Sequence, residues 1–171
     1  YIINEYNLGY TKSFFKALKE AEGDYIFFCD QDDIWEENKV EVMIDIMANN
    51  SKILCLSSLN TIINSNEEYV KKESKKGKNK LQFVTASMLL QQKYLRPGMS
   101  LLISKQLKKI ILKHNLSEIK QHDRFIEFVA TEYDGFYILN EYLTRYRIHE
   151  NNTSGMNLTL SLRSDLKGRK I

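Results

Sequence analysis

The chain holds one proline, seven glycines, two cysteines and one tryptophan in 171 residues. Each scarcity excludes something. A single proline, Pro97 beside Gly98, leaves no breaker-rich linker, so the chain reads as one domain. Cys29 and Cys55 share no metal-ligand spacing with each other or with a histidine. Both lie in apolar runs and are expected to be buried thiols in reducing surroundings. No apolar run approaches the roughly 20 residues of a membrane-spanning helix. No signal-peptide pattern opens the chain as it stands, and no Walker-type glycine loop occurs. A general excess of one charge is missing too. The net charge is +3, but Lys71–Lys80 carries six Lys against one Glu, so the remainder sums to −2. That leaves no basic footprint, and no nucleic acid partner is expected. The lysine block reads as a solvated loop, or as a contact with a polyanion or membrane surface.

What is present is ordinary globular material: 43% apolar and 27% charged residues, enough to build a core at this length. Tyr1–Asn4 looks like a strand. Phe14, Leu18 and Ala21 fall at helical spacing, with Gly23 as a stop. Tyr25–Cys29 is apolar without alternation, as a central parallel strand covered on both faces would be. Val40, Met43, Ile44 and Met47 predict a second helix, and Ile53–Leu59 another buried strand. Ala86–Leu90 is a short helix or strand, and the chain breaks at Pro97-Gly98 before Met99–Ile103. Ser104 is placed to cap a helix bearing Leu107, Ile110 and Ile111. Asp123 opens another, with Ile126, Val129 and Ala130 inward. Phe136–Ile148 forms a strand pair or one long strand, and a polar, basic tail runs on from Asn157. Alternating strands and helices imply an α/β fold with a mostly parallel sheet, whose ligands bind at the carboxyl ends of strands.

That rule points to Asp30-Gln31-Asp32-Asp33, directly after the most apolar run. Three neighbouring carboxylates repel one another unless a cation is shared, and hard Mg2+ or Mn2+ takes one or two carboxylates plus substrate phosphates. In an extended segment Asp30 and Asp32 would face one side. The plainer reading is that Asp32 or Asp33 starts a helix near Glu36. Asp123 likewise could be no more than a helix cap.

Four stretches, in order, carry a resemblance. They are Asn4-Glu5-Tyr6-Asn7-Leu8-Gly9, the run Gly23–Trp35 through Asp30-Gln31-Asp32, the pair His122-Asp123, and Tyr146-Arg147-Ile148-His149-Glu150-Asn151-Asn152 on to Gly155. The set resembles family 2 glycosyltransferases, in particular the bacterial rhamnosyltransferase-like branch that decorates polysaccharides. The resemblance implies a GT-A (nucleotide-diphospho-sugar transferase) fold and inverting, metal-dependent transfer from a nucleotide-diphospho-sugar to a glycan or lipid-linked acceptor. It assigns Mg2+ or Mn2+ chiefly to Asp32, helped by Asp30, which also contacts the nucleotide sugar. His149 would reach the metal or diphosphate. Asp123 would be the general base, with His122 packed beside it. Asn7 and Gly9 would shape the first turn at the substrate, and Gly98 would line the donor and acceptor sites. Trp35 is a core residue or a wall of the acceptor site. Tyr1 would correspond to the family's third strand. Residues 1–171 are therefore expected to be one partial catalytic domain lacking the first strands of the nucleotide-binding half. Its sheet edge would be exposed or paired with another copy. Free thiols in reducing surroundings suit a cytoplasmic location, and lipid-linked acceptors would place the enzyme at the inner face of the plasma membrane. The same carboxylates leave two alternatives: a metal-dependent phosphotransferase or hydrolase, and a non-catalytic fragment.

Overall fold

The computed structural model describes residues 2–71, 80–92 and 94–149; most of the lysine block and the basic tail lie outside them. In chain order the elements are α1 (Tyr10–Glu20), β1 (Tyr25–Phe27), β2 (Ile34–Trp35), α2 (Lys39–Ala48), β3 (Cys55–Ile63), β4 (Tyr69–Lys71) and β5 (Leu81–Phe83). There follow α3 (Ala86–Leu89), a 3-10 turn (Gly98–Ser100), β6 (Leu101–Ser104), α4 (Lys105–Ile111), α5 (His122–Glu132) and β7 (Phe136–Arg147). Seven strands form one sheet, ordered β1-β6-β3-β7-β2, with β4 on β3 and β5 on β7.

The strands alternate between two buried layers. Cys55, Leu101, Ile103, Phe136 and Ile138 face one cluster with Phe15 and Leu18 of α1, Leu107 and Ile111 of α4, and Ile126 and Ala130 of α5. Leu56, Leu102 and Leu139 face the other way, onto Met43 and Met47 of α2. This is the period of two in strands meeting helices on both faces. Burying each Leu or Ile of this kind contributes about 1.5–3 kcal/mol. Local chemistry agrees with the packing. Ser104 Oγ accepts the Leu107 N–H at 3.2 Å and caps α4 as its sequence suggests. Gly9 precedes α1 with φ +75°, a conformation that favours glycine, and its N–H bonds Asn7 Oδ1 at 2.8 Å.

Several expectations are corrected. The sheet is not mostly parallel: β3 and β7 pair in parallel, while the other five pairings are antiparallel. A non-alternating apolar run reports burial on two faces, not strand direction. β1 shows this well. Tyr25 and Phe27 pack with the α2 cluster, and Ile26 and Phe28 with the opposite one. Yet β1 ends the strand order among the described residues and pairs antiparallel with β6. Its outer edge has no strand partner there. Ile2–Asn4 forms no strand, and Ile3 is 76% exposed. Cys29 is exposed because the chain leaves the sheet before it; Cys55 is buried as expected. Val40 points outward, leaving Met43 and Met47 to anchor α2.

Candidate active site

Strand direction decides where the site lies. β1, β3 and β7 run one way and β6 runs against them. The ends of the first three strands therefore share one end of the sheet with the start of β6. A cavity of about 1040 Å3 opens at that end. Its lining includes Asp30 and Asp32 after β1, Gly98 before β6, His122 and Asp123 at the start of α5, and His149 after β7.

The acidic segment is a turn at Gln31-Asp32, not the extended stretch its spacing suggests. It is strapped to β7. Arg147 donates its backbone N–H to Asp33 Oδ1 at 2.9 Å and its Nε to the Asp32 carbonyl at 2.8 Å. Just beyond, Arg145 grips both oxygens of Glu36 at 2.7 and 2.9 Å, the fork geometry that fixes orientation as well as charge. These bonds separate three adjacent aspartates. Asp33 is spent on Arg147, and burial pushes its carboxyl up to about 6 against that hydrogen bond. Asp30 and Asp32 reach the cavity instead. His149 Nε2 lies 2.7 Å from Asp32 Oδ2, joining residues 117 apart in the chain. Burial, and then the carboxylates of Asp32 and Asp123, push the Asp30 carboxyl upward. Neither Asp32 nor Asp33 caps α2, which begins after Asn38 without a side-chain cap.

Also lining the cavity, Asp123 sits in the first turn of α5, where the helix end favours negative charge. It does not cap the helix; its Oδ1 accepts the N–H of Arg124 at 2.8 Å. His122 is 5% exposed, stacked on Phe14 at 4.1 Å and on Phe28 at 5.7 Å between ring centroids. Neither ring nitrogen has a hydrogen-bond partner among the described residues. Burial pushes its pKa down, against the pull of Asp123, so the ring packs as a neutral plate beside the aspartate. Gly98 makes room for it: a Cβ there would lie 2.6 Å from His122 Nε2.

Three of the residues singled out from sequence lie elsewhere. Asn7 and Gly9 form the turn into α1 and do not line the cavity. Trp35 packs on Phe27 at 5.2 Å and under the ammonium of Lys39 at 4.1 Å, beside a separate pocket that Arg145 also lines. Two buried titratable groups escaped the sequence. Lys39 is fully buried, donating Nζ to the Met99 carbonyl at 2.7 Å and to Thr144 Oγ1 at 2.8 Å. It ties α2 to the turn before β6 and to β7. Glu127 is fully buried one turn below Asp123, accepting the Arg96 N–H at 2.6 Å and lying 3.3 Å from Arg124 Nη1. Burial raises it to about 8. The i, i+3 spacing of Arg124 and Glu127 was a readable signal; nothing marked Lys39.

Among the described residues no group of three or more His, Cys, Asp and Glu is placed to hold a metal by itself. No helix among them is long and apolar enough to cross a membrane.

Known proteins resemble the chain at both levels. It is 34% identical over 148 residues to an uncharacterized glycosyltransferase of Methanocaldococcus jannaschii, covering 86% of this chain and 50% of that one. It is 29% identical to the dTDP-rhamnosyl transferase RfbG of Shigella flexneri over 162 residues, 88% of this chain and 53% of the relative. A shorter stretch of 50 residues, 29% of this chain and 20% of the relative, is 44% identical to the Escherichia coli UDP-Glc:alpha-D-GlcNAc-diphosphoundecaprenol beta-1,3-glucosyltransferase WfgD. The chain thus spans about half the length of the first two relatives. The crystal structure of S. aureus TarS 1–349 superposes with a TM-score of 0.55 at 18% identity, covering 80% of this chain and 40% of that one. That likeness meets the GT-A expectation for the fold. The family profile of glycosyl transferase family 2 matches residues 1–110, and the chain belongs to that family.

Proposed function

We propose that the protein containing this chain is an inverting, metal-dependent glycosyltransferase. It would move a sugar from a nucleotide-diphospho-sugar to a glycan or lipid-linked acceptor in cell-surface polysaccharide synthesis. The observation that carries this reading is the convergence of Asp30, Asp32, Asp123 and His149 on one cavity, with His149 Nε2 at 2.7 Å from Asp32 Oδ2. Family membership and the named sugar transferases among the relatives support it.

The donor set suits a divalent cation shared with a ligand. Two protein groups in contact, Asp32 and His149, with Asp30 beside them, leave most positions of Mg2+ or Mn2+ to water and diphosphate oxygens. Such an ion would neutralise charge on the leaving diphosphate. The remaining work falls to the chain. The strap from Arg147 and Arg145 holds the acidic turn so that Asp32 meets His149 without rearrangement. Asp123 takes the proton from the acceptor hydroxyl as it attacks the anomeric carbon from the face opposite the diphosphate, inverting its configuration. His122, neutral and walled in by Phe14, Phe28 and Gly98, fixes the first turn of α5 behind that base.

The test uses the full-length protein, a panel of nucleotide sugars and Mn2+ or Mg2+, with nucleotide diphosphate release as readout. Acceptor-dependent release is expected, falling at least about a hundredfold in Asp123→Asn, in line with the loss of a general base. Asp32→Ala should fall as far and lose its response to metal. Unchanged release in both variants, or no donor giving acceptor-dependent release, would refute the transferase reading.

A further inference from the structure

The acidic cavity contains a cation fixed beside its base. Arg124 follows Asp123 directly, lines the cavity, and keeps 38% of its side chain exposed. Its Nη1 lies 3.3 Å from Glu127 Oε2, a carboxyl with no exposed surface, which the Arg96 N–H holds at 2.6 Å from the other side. The anchor is thus rigid, one turn down the same helix. A guanidinium carries five N–H donors, and this contact uses one end of the fork. An exposed arginine ordinarily spreads over many rotamers at an entropic cost; this one is held in place before any ligand arrives.

Resting on the transferase reading above, we infer that the Arg124 guanidinium, held by Glu127, binds a phosphate group of the acceptor, which is therefore a phosphate-linked sugar. The side of the cavity follows from the base. The acceptor hydroxyl must touch Asp123, so the remainder of the acceptor passes the adjoining residue, whereas the donor diphosphate belongs with Asp32 and His149. Charge balance argues the same way. An anionic acceptor entering a cavity that already holds Asp30, Asp32 and Asp123 needs a local cation, and Arg124 stands next to the base. Lys16 and Arg96 add positive charge to the same lining. Burial favours the uncharged form of Glu127, so the anchor holds the guanidinium without cancelling its charge.

The experiment titrates phenyl phosphate into the full-length protein in EDTA, followed by ligand-observed NMR, and dTDP with Mn2+ by calorimetry. Gln keeps a donor for Glu127, so Arg124→Gln removes the charge without orphaning the buried carboxyl. Phenyl phosphate should bind about tenfold more weakly in Arg124→Gln, the cost of a charge-assisted hydrogen bond, with Arg124→Lys in between. Affinity for dTDP with Mn2+ should stay within about threefold, below the loss expected from one charged hydrogen bond. A phenyl phosphate loss below about threefold overturns the inference on the same scale. An equal loss for dTDP also overturns it, by assigning the guanidinium to the donor. If no donor gives acceptor-dependent release, the transferase reading fails on its own account, whatever Arg124 does to phenyl phosphate.

Discussion

Gly98→Ala is the sharpest test of how the site is packed. A Cβ at this position would lie 2.6 Å from His122 Nε2 and 3.3 Å from its Cε1, so either the ring or the turn must move. A flexible side chain could swing away at little cost, but this ring cannot. It is 5% exposed, stacked on Phe14 at 4.1 Å and flanked by Phe28 and Tyr10. Moving the backbone at residue 98 is no easier, since Ser100 Oγ bonds both the Pro97 carbonyl at 2.7 Å and Ser57 Oγ at 2.8 Å. The insertion should therefore carry an overpacking cost of about 1–3 kcal/mol. In a domain of this size that lowers Tm by about 2–4 °C per kcal/mol. Because His122 opens α5, the same displacement moves Asp123, so turnover should fall along with stability. Urea unfolding of Gly98→Ala, His122→Ala and the double variant measures the contact directly. Removing the ring should cut the cost of the added methyl by about 1 kcal/mol or more, the coupling expected for side chains in contact. An equal cost in both backgrounds would refute the steric argument, and with it the claim that glycine is here to admit the histidine.

Two further predictions concern buried charge. Glu127 has its folded pKa raised to about 8, so its contribution to stability is present below the ordinary carboxyl range and is lost as pH rises toward 8. Glu127→Gln should gain on the parent across that window by at most about 1.4 kcal/mol per pH unit, measured by urea unfolding at pH 5 and 8; a gap independent of pH would count against a buried neutral carboxyl. Lys39→Ala should cost about 2–4 kcal/mol, because it opens a void over the Trp35 ring and strands the Met99 carbonyl and Thr144 hydroxyl. Thermal melts within about 2 °C of the parent, less than the shift for 1 kcal/mol in a domain of this size, would show that the buried lysine is not what joins α2 to β7.

Local chemistry made much of this protein legible. The cap at Ser104, the inward face of α5 and the helical spacing through Phe14 and Leu18 all depend on residues within a few positions of one another, and each element formed where its pattern says. The acidic turn after β1 was readable for a similar reason, since adjacent carboxylates at a strand end are conspicuous in any context. Strand direction was not, because apolar runs such as Tyr25–Phe28 look the same whichever way a neighbour runs. Nor was the fate of single charges. No local pattern sets Lys39 apart, and only its reach to Met99 and Thr144, 60 and 105 residues away, explains its burial.

Asp30, Asp32 and Asp33 show the division most clearly. Composition and order determined that carboxylates would stand at the end of a buried strand, with a histidine and a further aspartate later in the chain. Tertiary structure decided which of them act together. Arg147, at the end of β7 and 114 residues on in the chain, holds Asp33 back, and the same strand delivers His149 to Asp32. Such pairings need a strand register and the bulges that shift it between β3 and β7, and these are fixed by cooperative packing across the sheet rather than by any local run of residues.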